Sequence, residues 1–350
     1  MNTCFFLRAS LASTMLLVGL DALAAGTKDN PCSYDNLSNC YDGVSGAVTA
    51  YDAVRVALPD IQTRLSSNDE DETALNNISS GLAAGSMTGN YNVWINTSYS
   101  EFESTYVIGS YEAERTGLLI GVDRMIGAKS VLGVAFGYED LSTTTFYNGG
   151  NDSEDGFTLA PYYGVALTDT LTFDMSVGYS WLDHSQDRLR ADGNRLSASY
   201  DADRLFGAIN LSNTYVHNKL RMEASIGLTH AEENHDGYTE TGLNPRTVLD
   251  RTISITQAEL GFGVSQTNNN VTPYASIAFR KDLDSDEDAA AGGLPAGVIA
   301  HSDDDTEVEF VIGADIATQQ NIDISFAFNK LFSRDDFDKW GLDLSLRMPL

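Results

Sequence analysis

From Tyr91 to Leu350 apolar and polar residues alternate in twelve successive stretches, joined by connectors that are in turn very short and long. In the last stretch Trp340, Leu342, Leu344, Leu346, Met348 and Leu350 fall on one face of a strand, and Gly341, Asp343, Ser345 and Arg347 on the other. An ordinary soluble sheet also alternates. Here the pattern repeats over the whole region with no long helix between strands, so both faces need a solvent. Lipid outside and a polar lumen inside meet that need, and closure leaves no unpaired backbone in the bilayer. The pattern predicts an all-β fold: a twelve-stranded antiparallel transmembrane β-barrel of the outer-membrane kind, preceded by a short, partly helical N-terminal segment.

Strands are expected near 91–103, 114–125, 130–142, 156–167, 171–185, 202–216, 219–232, 252–265, 271–281, 306–318, 321–332 and 337–350. They fit or slightly exceed the roughly 9–11 residues of a tilted strand that crosses a bilayer. Tight turns fall at Gly127-Ala128-Lys129, Thr168-Asp169-Thr170, His217-Asn218, Thr267 to Asn270 and Gln319-Gln320. The longer connectors include Thr144 to Asp155, Gln186 to Asp201, Glu233 to Arg251 and Asp282 to Asp305. Short periplasmic turns and longer external loops are the asymmetry of such barrels. An even strand count with this phasing puts both ends of the barrel in the periplasm.

The same phasing assigns faces. Leu118, Ile120 and Val122, then Leu132, Val134, Phe136 and Tyr138, are expected to meet lipid. So are Leu171, Phe173, Met175, Val177, Tyr179 and Trp181, and Leu220, Met222, Ala224, Ile226 and Leu228. The lumen is expected to receive Asp123, Glu139, Asp174, Arg221, Glu223, Glu259, Arg280, Glu309, Asp315, Asp323, Asp343 and Arg347. Inward glycines such as Gly121, Gly133 and Gly137 leave room for something inside the pore or let neighbours pack tightly on the wall.

Residues 1–24 have the form of a secretory signal: Arg8, a short apolar core from Leu11 to Leu20, and Ala22-Leu23-Ala24 before Ala25. The core is shorter than the roughly 20 apolar residues of a membrane anchor. Export is therefore expected. Cys32 and Cys40, in the mature chain of an oxidising compartment, are expected to form a disulfide that clips a small loop. Residues 25–89 form a separate short segment, with helical spacing at Val48, Tyr51, Val54, Ala57, Leu58, Ile61 and Leu65. Residues 90–350 form the barrel. The 50 acidic against 21 basic side chains, a formal charge of -29, argue against a nucleic-acid partner. They suit a surface that meets outer-membrane lipid and anionic lipopolysaccharide through divalent cations.

Across roughly Gly89 to Leu350 the chain resembles the autotransporter β-domain (translocator) family. Tyr91-Asn92-Val93-Trp94-Ile95 is similar to that family's first strand. The run Gly117 to Arg124 is similar to its second strand, Leu132 to Tyr138 to its third and Pro161-Tyr162-Tyr163-Gly164 to its fourth. The resemblance implies a monomeric barrel in the bacterial outer membrane, inserted by the barrel-assembly machinery. Its lumen would be occupied by a helix leading to an exported N-terminal passenger. Two features depart from the family. Residues 25–89 are far shorter than the usual passenger, and Pro349-Leu350 stand where outer-membrane proteins usually end in Phe or Trp.

No catalytic, cofactor-binding or metal-ligating residues are assigned from the sequence. His184 and Ser185 are adjacent on a strand, so they point to opposite faces and cannot pair as a lipase-type base and nucleophile. His217, His230, His235 and His301 show no H-x-x-x-H or similar metal spacing. Gly121 to Lys129 lacks the spacing of a phosphate loop. Asn76-Asn77 resembles the paired asparagines at which some autotransporters cut themselves, although such pairs are common in polar linkers. The acidic segment from Asp282 to Glu307 has a D-x-D-x-D rhythm that could hold a hard cation such as Ca²⁺, but it lacks the EF-hand glycine and terminal Glu, so it reads rather as a solvated acidic loop. The expected function is a non-enzymatic translocator barrel that displays, or is plugged by, its short N-terminal segment. The alternatives are a barrel enzyme of lipase or protease type and a general diffusion porin.

Overall fold

The computed structural model describes residues 91–105, 110–127, 129–146, 148–190, 192–287, 305–318 and 322–349. In chain order its strands are β1 (Tyr91–Ser104), β2 (Tyr111–Ile126), β3 (Ser130–Thr145), β4 (Gly150–Ala166), β5 (Leu171–Leu189), β6 (Arg195–His217) and β7 (Leu220–His235). They continue with β8 (Tyr238–Thr239), β9 (Thr247–Val248), β10 (Arg251–Gln266), β11 (Val271–Glu287), β12 (Thr306–Ala317), β13 (Asp323–Phe332) and β14 (Phe337–Pro349). All except β8 and β9 join one closed antiparallel barrel. The seam is β1 on β14, in register from Asn92↔Pro349 to Ser104↔Phe337. Closure removes the open edge that lipid could not hydrate. Among the described residues no helix is long and apolar enough to cross a membrane. The crossing is made by strands.

The twelve expected strands are the twelve strands of the barrel, and the facing holds along each. Leu118, Ile120 and Phe136 are 40, 44 and 51 % exposed on the outer wall, while Asp123 and Glu139 are 2 and 4 % exposed inside. The inward glycines are covered from the neighbouring strand. Trp94 lies opposite Gly121, Tyr162 opposite Gly133 and Phe206 opposite Gly178. A Cβ at any of these three glycines would come within 2.3 Å of the facing ring. The glycines are thus spaces that a wall aromatic fills. Trp94, Leu119, Tyr162 and Phe206 belong to an apolar cluster on the lumen side of the wall that also includes Ile253 and Ile255.

Two of the expected long loops are instead sheet. Strand β4 begins at Gly150, β5 runs to Leu189 and β6 begins at Arg195, so the segments 150–155, 186–189 and 195–201 are paired. The apolar half of the pattern stops there, but alternation does not. Ser153, Ser185 and Ser199 face out, and Glu154, Gln186 and Ala198 face in. Water replaces lipid outside, so the outward residues become polar without ending the strand. The segment Glu233 to Arg251 likewise begins with strand and carries the β8–β9 hairpin. The acidic segment from Asp282 to Glu307 is corrected at its two ends. Asp282 and Glu307 lie on strands and are buried inside the barrel, not solvated. Its middle lies outside the described residues. So do the signal-like stretch, the helical pattern of residues 44–65, the Cys32 and Cys40 pair, Asn76-Asn77 and His301.

Candidate functional site

At the end of the barrel opposite the short turns, the lumen is crossed by a buried charge network centred on Arg204 of β6. Its Nε donates to Glu233 of β7 at 2.6 Å, and its two terminal nitrogens donate to Glu139 of β3 and Glu154 of β4, each at 3.0 Å. Arg115 of β2 also pairs with Glu139. Two strands separate β3 from β6 in the wall, so Arg204 ties across a chord of the barrel. All five side chains are almost completely buried. A guanidinium offers five donors in a fixed plane, which lets one arginine satisfy three carboxylates.

Two histidines adjoin this network. His235 Nε2 lies 2.7 Å from Glu233, and its Nδ1 lies 3.1 Å from a terminal nitrogen of Arg251. His184 stacks on Tyr200 at 4.7 Å between centroids and sits 5.0 Å from the His235 ring. His184 and Tyr200 are cross-strand partners, and His235 stands opposite Ala202. The small side chain of Ala202 lets His184 of β5 and His235 of β7 approach over the strand between them. Glu233 and His235 share a face because they are two residues apart on one strand.

The β8–β9 hairpin folds into the mouth above this cluster. Arg188 grips Glu240 with two parallel bonds of 2.7 and 2.9 Å, and Gln186 donates to the Tyr238 hydroxyl. Tyr238 stacks on Tyr200 at 4.6 Å. Gln186, Arg188 and Tyr200 all face inward, so the hairpin lies on the lumen side of the wall. Burial pushes the Tyr238 hydroxyl up to about 12, against Arg251 and the hydrogen bond from Gln186. It therefore stays protonated at neutral pH. The chain reaches inward for a reason visible in the sheet: β7 ends opposite Ala202, leaving the upper edge of β6 uncovered. Thr241 exchanges backbone bonds of 2.7 and 3.1 Å with Ser197 along that edge. Covering an exposed strand edge in this way is a common protective device.

A second buried cluster stands on the other side of the barrel. Arg280 of β11 pairs with Glu259 and Glu309, each at 2.7 Å, and Arg334 reaches in from the β13–β14 connector to Asp282 at 2.5 Å. Nearer the short-turn end, Asp123 accepts from Asn92 at 3.0 Å and from Tyr162 at 2.9 Å, and Tyr162 in turn accepts from Trp94 at 2.7 Å.

Outside, the apolar belt ends in aromatic side chains. Tyr138 and Phe157 lie 5.3 Å apart, and Tyr179 and Trp181 5.0 Å. Immediately above them Asp140, Asp155, Asp183 and Asp201 stand directly opposite one another on four consecutive strands. Such a change from apolar to acidic side chains is expected where a barrel wall leaves the bilayer.

The structure places all twelve sequence-predicted lumen residues on the inner face. It joins Glu139 to the Arg204 network and Glu259 and Glu309 to Arg280. Asp315 accepts from Ser325 and Asp343 from Asn329, away from these clusters. His184 faces in and Ser185 out, as adjacency on a strand requires. Sequence reasoning missed Arg204, Glu154, Arg188 and the grouping of His184 with Glu233 and His235. Glu154 and Glu233 fell in segments read as loop, and Arg204 carries no local signal beyond its inward phase. The signal that was available is Glu233-x-His235, two ligand-type residues on one face of an extended segment.

The autotransporter β-domain family model matches residues 93–329. Among solved structures, the chain is similar to the translocator domain of the autotransporter NalP from Neisseria meningitidis, with a TM-score of 0.70 at 13% identity. That match covers 87% of this chain and 100% of NalP's. The β domain of the Bordetella autotransporter BrkA matches with a TM-score of 0.58 at 17% identity, covering 75% of this chain and 100% of its own. None of the curated proteins matches in sequence.

Proposed function

Since the chain belongs to the autotransporter β-domain family and forms an outer-membrane barrel of that type, we propose that it works as a translocator without chemistry of its own, holding or passing its N-terminal segment, residues 25–89. The observation that carries this reading is the position of β1. It opens at Tyr91 at the short-turn end, beside the last residues of β14. With short turns in the periplasm, the preceding residues meet the barrel from inside the cell envelope. Display at the surface then requires passage through the lumen. Export depends on residues 1–24 acting as a signal peptide, and insertion on the barrel-assembly machinery.

The outer mouth supports a barrel that rests closed. The Arg204 network and the β8–β9 hairpin take up space on the inner side of the mouth that a diffusion porin would leave to water. The non-enzymatic reading is supported by the opposite facing of His184 and Ser185. The row from Asp140 to Asp201 suits lipopolysaccharide phosphates bridged by divalent cations, and a closed monomeric barrel needs no second copy to complete it.

A tag placed near Asp29 tests the reading on intact cells. Surface labelling of the tag supports passage through the pore, and protection supports a plug. Planar-bilayer recordings separate the translocator from the porin: little conductance is expected from the full chain and more after removal of residues 25–89. Steady large conductance from the full chain would favour the porin instead.

A further inference from the structure

We propose that His184, Glu233 and His235 form a binding site for one divalent transition-metal ion, of the zinc, copper or nickel class, in the inner wall of the outer half of the barrel. This site is independent of whether the N-terminal segment is translocated.

The three residues offer one ligand atom each, and these atoms all lie within 4.8 Å of one another. Around a tetrahedral zinc ion, bonds of about 2.0–2.1 Å put neighbouring donors on the order of 3.3 Å apart. His235 and Glu233 are already within that distance of each other at 2.7 Å. Only His184 has to close in. Two imidazoles and a carboxylate are a donor set suited to zinc, copper and nickel. Calcium and magnesium prefer shells made mainly of oxygen, which this site lacks.

A second observation points to a ligand. His184 is 4 % exposed, and neither of its ring nitrogens has a hydrogen-bond partner. Glu154 lies 3.9 Å from its Nε2, beyond hydrogen-bond reach. A buried polar group without a partner costs free energy that an ion would recover. Stacking on Tyr200, with ring planes 5° apart, fixes the plane of the imidazole. The carboxylate ligand is held from behind as metal ligands usually are, Glu233 by Arg204 at 2.6 Å.

The charges permit a cation. Four carboxylates, Glu139, Glu154, Glu233 and Asp152, stand against three guanidiniums, Arg115, Arg204 and Arg251, so acidic groups outnumber basic ones around the site. Arg251 is the obstacle that loading must move. Its contact with His235 Nδ1 requires the proton on Nε2, the atom that faces Glu233. Binding through Nε2 displaces that proton to Nδ1 and turns the guanidinium away. Arg251 has somewhere to go, since its Nε and one terminal nitrogen lack partners, as does the Oδ1 of Asp152.

The test uses the full barrel, untagged, refolded in detergent, treated with chelator and titrated calorimetrically with Zn²⁺ at neutral pH. One equivalent is expected to bind. His184→Ala, His235→Ala and Glu233→Gln are each expected to weaken it by at least about 10-fold, the lower end of what even supporting residues of a metal site contribute. His230→Gln, on the outer wall, should leave it unchanged. Absence of saturable binding, or binding unaltered in His184→Ala, overturns the site. Heat-modifiable gel mobility reports whether each variant folds. Should the variants not fold, X-ray absorption of the Co²⁺-loaded natural barrel decides. Two imidazoles with oxygen are expected, and a shell containing thiolate or no imidazole rejects the proposal.

Discussion

The indole of Trp94 lies across Gly121, its partner on the neighbouring strand, so closely that a Cβ there would fall 2.1 Å from Trp94 Cε2. The indole then donates to Tyr162, whose ring covers Gly133 in the same manner. Glycine and aromatic residue thus form a matched pair, and the wall is as specific about the small partner as about the large one. Gly121→Leu is expected to force Trp94 off its seat and to destabilise the barrel by about 1–3 kcal/mol, the usual cost of overpacking. Gly207→Ala, where the new atom would meet nothing closer than 3.6 Å, should be tolerated. The urea midpoint of barrels refolded in lipid vesicles reads both.

The two faces should respond differently to charge. Leu260 and Ile312 are exposed on the lipid wall, and Leu260→Arg or Ile312→Arg is expected to cost roughly 2–4 kcal/mol if placed near the bilayer midplane. Asp315→Leu alters lumen contacts, among them the bond from Ser325, and should leave insertion intact. Equal losses from inner and outer substitutions in vesicle refolding would falsify the register.

Arg204→Met takes a shared partner from three buried carboxylates: Glu154 loses its arginine, while Glu139 keeps Arg115 and Glu233 keeps His235. Removing one partner of a buried charge network typically costs about 3–5 kcal/mol. The loss should be greatest at neutral pH and shrink on acidification, because protonating a carboxylate removes the unpaired charge. Denaturant melts of the variant and the natural barrel at several pH values give the comparison.

The hairpin is held by few contacts, and the Arg188–Glu240 fork is the strongest of them. Arg188→Met should free it from the mouth. Faster proteolysis near the exposed Leu243 and more frequent channel openings in planar bilayers are the expected signs. Unchanged cleavage and conductance would mean that the remaining contacts, the stack on Tyr200 and the backbone bonds to Ser197 among them, hold the hairpin without the fork.

Like charges directly opposite on a sheet repel, and Asp155 has Asp140 on one side and Asp183 on the other. Asp155→Asn is expected to stabilise the barrel at low ionic strength by several tenths of a kcal/mol. The gain should fade in about 1 M salt, where screening acts within roughly 3 Å. Unfolding curves at two salt concentrations decide it.

How much of this was legible beforehand follows from what each signal depends on. Strand number, facing and the placing of Leu118 outside and Asp123 inside are local properties, because side chains on a strand alternate and lipid accepts only one of the two sets. The ends of β4, β5 and β6 were not legible from hydrophobicity. Above the bilayer Ser153, Ser185 and Ser199 are as acceptable in strand as in loop, and only pairing with the next strand decides between them. The site is a matter of register: His184, Tyr200, Ala202, Glu233 and His235 belong to three strands, and a shift of one residue in any pairing would turn a strand's side chains to the other face. The sequence by itself determined a lipid-facing barrel, since period and polarity are written residue by residue. Only the tertiary structure decided that Arg204 would reach past β5 to β4 and β3, that the hairpin would close inward, and that two histidines fifty-one positions apart would meet over an alanine, because those contacts depend on how far each strand is slid against its neighbour.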